Sequence, residues 1–268
     1  MSGGSDREQN ARVRERFTRT AEAFAQLSAS KREGEGERVA RLAHTQPEDI
    51  GLDLACGPGT FTIPLARRTR RVLGLDLTPA FLGLARKRAA QEGLGNVRFL
   101  CADATGIPIR DESIHVAVCG YSFHHMREPL RALREMARVL VPGGRLAVVD
   151  IYTPEGFDPS VNDRIEQARD DSHCHTFTQG EFGQAVEQAG FRIRATELQE
   201  SPRRFSEWMQ TAGWKPDDPA WREAGRMMES ELAEDASGFH PRMVTAAGQP
   251  EPEIEFIQSI QFLGATKS

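Results

Sequence analysis

Apolar residues fall at Val13, Phe17, Ala21 and Phe24, the spacing of one helix face. The polar residues 1–11 before them are expected to be a disordered leader, with N-terminal helices filling 12–46. The second of these helices, mostly polar, is expected over about 35–45 and is broken by Gln46-Pro47-Glu48-Asp49. The pattern then changes. Ile50-Gly51-Leu52-Asp53-Leu54 reads as a short buried strand, and Cys56-Gly57-Pro58-Gly59-Thr60 as a tight turn opening a helix to about Arg68. Further strands are expected over 71–75, 97–101, 114–119 and 145–150. Thr78 and Pro79 supply helix start signals, and that helix turns Leu82, Ala85 and Ala89 inward. Another helix begins at Pro129, with Leu130, Leu133, Ala137 and Leu140 on one face, and 141–144 form a turn.

Strands alternating with helices of this length predict βα units on a parallel sheet. Beyond residue 150 the pattern lapses over 151–177. It resumes with Thr178 and Glu181 at capping-box spacing, before a helix that carries Phe182, Ala185, Val186 and Ala189. A sixth strand is expected over 191–198 and a seventh over 254–263. The expected fold class is α/β: a doubly wound, Rossmann-like, seven-stranded sheet. It is mostly parallel, with an antiparallel last strand and helical cap inserts at 151–177 and 201–250. Residues 12–268 are read as a single domain. Ligands of such sheets bind outside the carboxyl ends of the strands. Asp53, Gly57, Gly59, Asp76, Asp103, Cys119 and Tyr121 all lie at such ends.

Composition narrows the class. The 268 residues are 39% hydrophobic and 27% charged, and no apolar run approaches the roughly 20 residues that span a bilayer. Membrane insertion is not expected. A net charge of −5 argues against a nucleic-acid partner. Cys56, Cys101, Cys119 and Cys174 form no CxxC pair and no zinc spacing. With no secretory pattern at the start, the protein is expected to be cytoplasmic with reduced thiols.

The glycine turn is the first candidate site. Gly-rich strand-to-helix turns bring backbone close to a ligand. A dinucleotide reader wants G-x-G-x-x-G, but Thr62 holds the third glycine position. Asp53 just before the loop suits a cationic ligand better than a diphosphate. Asp76 can accept hydrogen bonds from both ribose hydroxyls, and Asp103 from an exocyclic adenine amine. Together these positions describe a nucleoside with a cationic tail.

D-L-A-C-G-P-G-T at 53–60, L-D-L at 75–77, A-D-A at 102–104 and L-R-E-M-A-R-V-L-V-P-G-G at 133–144 carry a resemblance. The chain resembles class I S-adenosylmethionine-dependent methyltransferases of the ubiquinone/menaquinone-biosynthesis type (type 11), most clearly over about 12–151. The resemblance implies that Ala55, Cys56, Gly57 and Gly59 pass beside the methionine portion, with Asp53 facing its amino group. Asp76 would hold the ribose, Leu77 would flank the adenine, and Asp103 and Ala104 would read its edge. Cys119 and Gly120 would line the cofactor. Phe17 and Phe24 match a hydrophobic helix that closes over it, and Phe24 and Tyr121 would face the substrate. One departure is His115, near the start of the fourth strand, where relatives often have an acid.

Methyl transfer from a sulfonium asks the protein mainly to position the acceptor in a dry site. The best-placed titratable run is Tyr121-Ser122-Phe123-His124-His125-Met126, with His124, or else His125, as general base or acceptor-orienting group. His173-Cys174-His175 lacks a further ligand cluster, so no metal site is expected. The cap aromatics Trp208, Trp214, Trp221 and Phe205 favour a small aromatic or apolar acceptor. Two alternatives stand beside this reading: a non-catalytic S-adenosylmethionine-binding module and a nicotinamide-dependent oxidoreductase. Oligomeric state is not legible.

Overall fold

The structure, a computed structural model, describes residues 5–31, 33–245 and 251–268. Residues 1–4 of the expected leader and 246–250 of the second expected cap insert lie outside the described residues.

Two helices come first: α1, Asp6–Lys31, and α2, Glu33–Leu42. For residues 6–11 the expected disordered leader is therefore corrected. Residues 6–11 are the first turns of α1, with Asp6 and Glu8 in the first turn, where carboxylates suit the helix dipole. The sheet then builds from β1 (Ile50–Leu54), β2 (Arg71–Asp76), β3 (Val97–Cys101), β4 (Ile114–Gly120) and β5 (Leu140–Ile151). Helices α3 (Thr62–Ala66), α4 (Pro79–Gln91) and α5 (Pro129–Val139) connect them. The expected turn at 141–144 is a bulge inside β5: Ile114 pairs with Leu140, and the next pair is Val116 with Arg145.

After β5 come α6 (Pro159–Arg169), α7 (Gln179–Gln188), β6 (Phe191–Arg204), α8 (Phe205–Thr211), α9 (Pro219–Glu234), β7 (Arg242–Val244) and β8 (Glu253–Lys267). Thr178 and Glu181 make the full reciprocal capping box at the start of α7. The sheet order is β3-β2-β1-β4-β5-β8-β6, with β7 paired to β8. β8 is antiparallel to both β5 and β6, so β6 runs with β1 to β5. The seven-stranded path with its antiparallel last strand is present. The short β7 makes the eighth strand, and β6 and β8 run several residues longer than expected.

Strand periodicity divides the core between two faces. Ala117 and Cys119 of β4 point to the face covered by α5 and α7, while Val116 and Val118 point to α2 and α3. A third cluster lies in the cap, where Phe205, Trp208, Met228, Phe239 and Phe256 pack together. The topology reverses between β1 and β4, which is where an open α/β sheet forms a crevice. Among the described residues no helix is long and apolar enough to cross a membrane.

Candidate active site

A cavity of about 1050 Å³, its open mouth included, lies over the carboxyl ends of β1, β2, β3 and β4. Its floor is the loop after β1. Ala55, Gly57 and Gly59 all take positive φ, at 53°, 51° and 88°. At Gly57 a Cβ would meet nothing within 4 Å, because that face of the loop borders the cavity. Asp76 ties the floor together: Oδ2 accepts from the Gly57 N–H at 2.8 Å and Oδ1 from the Thr78 N–H at 2.7 Å. Burial raises the Asp76 pKa, and these two donors partly offset it. Thr78 stands at the N-cap of α4 as expected but makes no side-chain cap bond. Asp103 accepts from the Asn10 amide at Oδ2, 2.5 Å, and from Thr105 at Oδ1. Asp76 and Asp103 reach the cavity with Asp6 and Glu128, against Arg127 as the one basic lining residue. A cation fits this lining and a pyrophosphate does not.

The structure brings Ala55, Cys56, Gly57, Asp76, Leu77, Asp103, Ala104, Gly120, Tyr121, Phe24 and His125 to this cavity. It does not bring Asp53, Gly59 or Cys119 there. Asp53 is fully buried beneath the loop, and its Oδ2 accepts from the Thr62 hydroxyl at 2.5 Å. It anchors the start of α3, so it does not face a ligand. Burial pushes its carboxyl up to about 7. Gly59 turns toward α4, where a Cβ would touch Ala85 at 3.5 Å. Cys119 points into the α5/α7 core. Burial raises the thiols of Cys56 and Cys119, which keeps both protonated and packed. Gly120 allows a close approach, since a Cβ there would sit 2.1 Å from the Phe61 ring. His115 is remote from the cavity lining, with Nδ1 accepting from the Ile50 N–H at 3.2 Å.

Helix α1 forms the side wall. Phe17 and Phe24 pack on Phe81 of α4 at 5.5 and 5.4 Å between ring centroids. Gln9 donates to the His125 and Ser172 carbonyls at 3.0 and 2.7 Å. Behind this wall lies a second cavity of about 900 Å³, measured the same way. It shares Phe17, Phe24, Tyr121 and His125 with the first. Its other lining includes Arg16, Thr20, His124, Glu166, Arg169 and Asp170.

His124 belongs to this second cavity. Its Nδ1 lies 2.5 Å from Oδ1 of Asp150, at the end of β5. Asp150 is itself held by the Phe123 and Ile151 N–H groups at 2.9 and 2.8 Å. Burial works against the imidazolium, but the Asp150 carboxylate outweighs it and raises the His124 pKa. His125 is the opposite case. Burial and the neighbouring His124 push it down to about 3, so it stays neutral. Its Nδ1 lies 3.1 Å from both the Ser172 carbonyl and hydroxyl, so it fixes the junction between the cavities. His173 and His175 both bond Asp163 of α6 and anchor the loop after that helix.

Sequence reading missed Gln9, Asn10, Arg16, Asp150, Arg169 and Asp170. Asp150 had a readable signal, an acid at a strand's carboxyl end. The others sit on helices or loops whose packing no pattern announced.

An acidic crevice at the switch point of a doubly wound sheet, adjoining a chamber with a histidine–aspartate pair, defines a Rossmann-like fold with two neighbouring cavities. Residues 52–148 match the family model described as a methyltransferase domain. The uncharacterized methyltransferase YcgJ of Bacillus subtilis is 28% identical over 179 residues, covering 66% of this chain and 70% of that protein. The demethylmenaquinone methyltransferase of Thermus thermophilus is 39% identical over 105 residues, covering 38% of this chain and 47% of that one. The chain thus spans about half the length of that relative. The crystal structure of a putative methyltransferase from Bacillus halodurans superposes with a TM-score of 0.77 at 24% identity, covering 87% of this chain and 99% of the other. Over residues 52–148 this chain is thus similar to methyltransferase domains. The acidic lining and the open face above Gly57 fit a nucleoside with a cationic tail, which is the chemistry of S-adenosylmethionine.

Proposed function

We propose that the protein methylates a small-molecule acceptor held in the second cavity, with His124 as general base. The observation that carries this reading is the shared boundary of the two cavities at Phe17, Phe24, Tyr121 and His125. A ligand in one is a neighbour of a ligand in the other. When bound, S-adenosylmethionine would supply an electrophilic methyl group, passed in line to the acceptor with S-adenosylhomocysteine as the leaving group. Asp76 would accept from the ribose hydroxyls, Leu77 and Phe81 would flank the base, and Asp103 would meet its polar edge. The aromatic wall of α1 excludes water from the boundary. Asp150 holds the His124 Nδ1 proton, so Nε2 is the nitrogen free to accept a proton from an acceptor hydroxyl.

The cap aromatics that favour an apolar acceptor are mainly the cap's own core; of the four, only Trp208 reaches the second cavity. The acceptor is therefore read as polar. Calorimetry with S-adenosylhomocysteine and NAD tests the cofactor half. We expect binding of the first, none of the second, and a loss of roughly 1.5–3 kcal/mol for Asp76→Ala, the scale of charge-assisted hydrogen bonds. Binding of NAD, or an unchanged dissociation constant in the variant, would refute it. Binding without turnover across phenol, quinol and amine acceptors would instead leave a cofactor-binding module.

A further inference from the structure

We propose that the second cavity selects an acceptor carrying an anionic group, a carboxylate or a phosphate, through Arg16 with Arg169 and Arg203. This deepens the methyltransferase reading and rests on it.

Arg16 is the key residue. It is 4% exposed, yet it lines the cavity. Its Nε lies 3.4 Å from Asp170, and its Nε and Nη1 have no hydrogen-bond partner among the described residues. Trp208 lines the same cavity, and its buried indole N–H also has no acceptor among the described residues. Buried donors are rarely left unmet, because each one costs its full desolvation. Three of them, on two residues that line one chamber, call for a ligand rich in acceptor oxygens. The guanidinium fork matches carboxylate and phosphate geometry.

Charge points the same way. Three arginines in the lining face two carboxylates, Glu166 and Asp170. Arg16 pairs with Asp170 at 3.4 Å and Arg169 with Glu166 at 3.6 Å, and both acids also accept from neutral donors. Asp170 accepts from the Ser172 N–H and hydroxyl at 3.0 and 2.6 Å, and Glu166 accepts from Gln258 at 3.2 Å. Arg169 is oriented by the Trp208 carbonyl and the Thr211 hydroxyl at 3.0 and 2.8 Å. The first cavity has the reverse balance, four acids against Arg127. The two chambers are thus sorted by sign, cationic cofactor on one side and anionic acceptor on the other.

The test titrates the S-adenosylhomocysteine-loaded protein with salicylate, vanillate and phenyl phosphate, each beside its neutral partner salicylamide, vanillamide or phenol. At least one anion is expected to bind roughly ten- to a hundredfold tighter than its neutral partner, the scale of charged hydrogen bonds. A preference for carboxylate over phosphate, or the reverse, names the group. In Arg16→Gln the gap is expected to close to within about threefold, with S-adenosylhomocysteine affinity unchanged. Arg203→Gln, at the cap end of β6, carries the same expectation and decides the matter if the first variant does not fold. No anion preferred across the set, or a gap that survives substitution, overturns the proposal. Failure of the wild-type protein to bind S-adenosylhomocysteine would instead strike the reading beneath it.

Discussion

Asp53 shows how a motif residue can belong to the scaffold. Its carboxyl is raised to about 7 by burial, and Oδ1 has no partner among the described residues. A raised acid binds its proton more tightly folded than unfolded, so folded stability falls as pH rises from its ordinary value toward 7. Asp53→Asn keeps the bond from the Thr62 hydroxyl and removes the ionisation. The ligand-free variant is expected to melt higher than wild type at pH 8 and about equally at pH 5; equal melting at both would contradict this. His124 gives the second residue-scale expectation. A base must be neutral to act, and Asp150 raises this one, so kcat/KM should climb with pH on a limb above 6.5. Asp150→Asn removes the largest opposition to burial and leaves only the weaker pull of Glu166 and Asp170 on the ring. The limb should then move to lower pH, while His124→Gln lowers kcat by about 10²- to 10⁴-fold. A limb that stays in place in Asp150→Asn would show that the pair is not coupled. Asp76, Gly57 and Asp103 were legible because strand ends are special positions whatever the tertiary structure. Asp53 and Gly59 share those positions, yet their side of the loop is set by backbone φ, which one-letter text does not show.

At the scale of an element, α1 is the informative helix. Its apolar spacing announced Val13, Phe17, Ala21 and Phe24, but the buried stripe also contains Gln9, Arg16 and Thr20. Polar residues on a buried stripe look like solvent residues to any periodicity argument; only their partners on other elements reveal them. The same helix lines both cavities. S-adenosylhomocysteine is therefore expected to slow amide hydrogen exchange along the helix from Gln9 to Phe24. Phe17→Ala removes part of a half-buried ring and should weaken that ligand by about tenfold. Unchanged exchange along this stretch would mean that the helix is not a ligand-bearing wall. β5 was legible only in part: its bulge at 141–144 has turn composition, and only the pairing of Leu140 with Ile114 makes it strand.

For the whole molecule, the parallel half of the sheet was readable because each βα unit is local in sequence. The cap was not, because its core joins α6, α8 and α9 to strands far along the chain. β6 and β8 stay paired from Phe191 with Lys267 to Arg204 with Glu255. The sheet and the cap core therefore share continuous strands, and Phe256 of the cap cluster lies on the same strand as Phe262 of the sheet. Heating should give one calorimetric transition, with calorimetric and van't Hoff enthalpies in agreement. Two resolved peaks would show that the cap melts by itself. The cap is thus a roof grown from its own foundations, its core set on strands that run on into the sheet. The N-terminal rod rests against both chambers by contacts from its side chains and shares no strand with the sheet, so it is the wall whose hold on the molecule depends on packing alone.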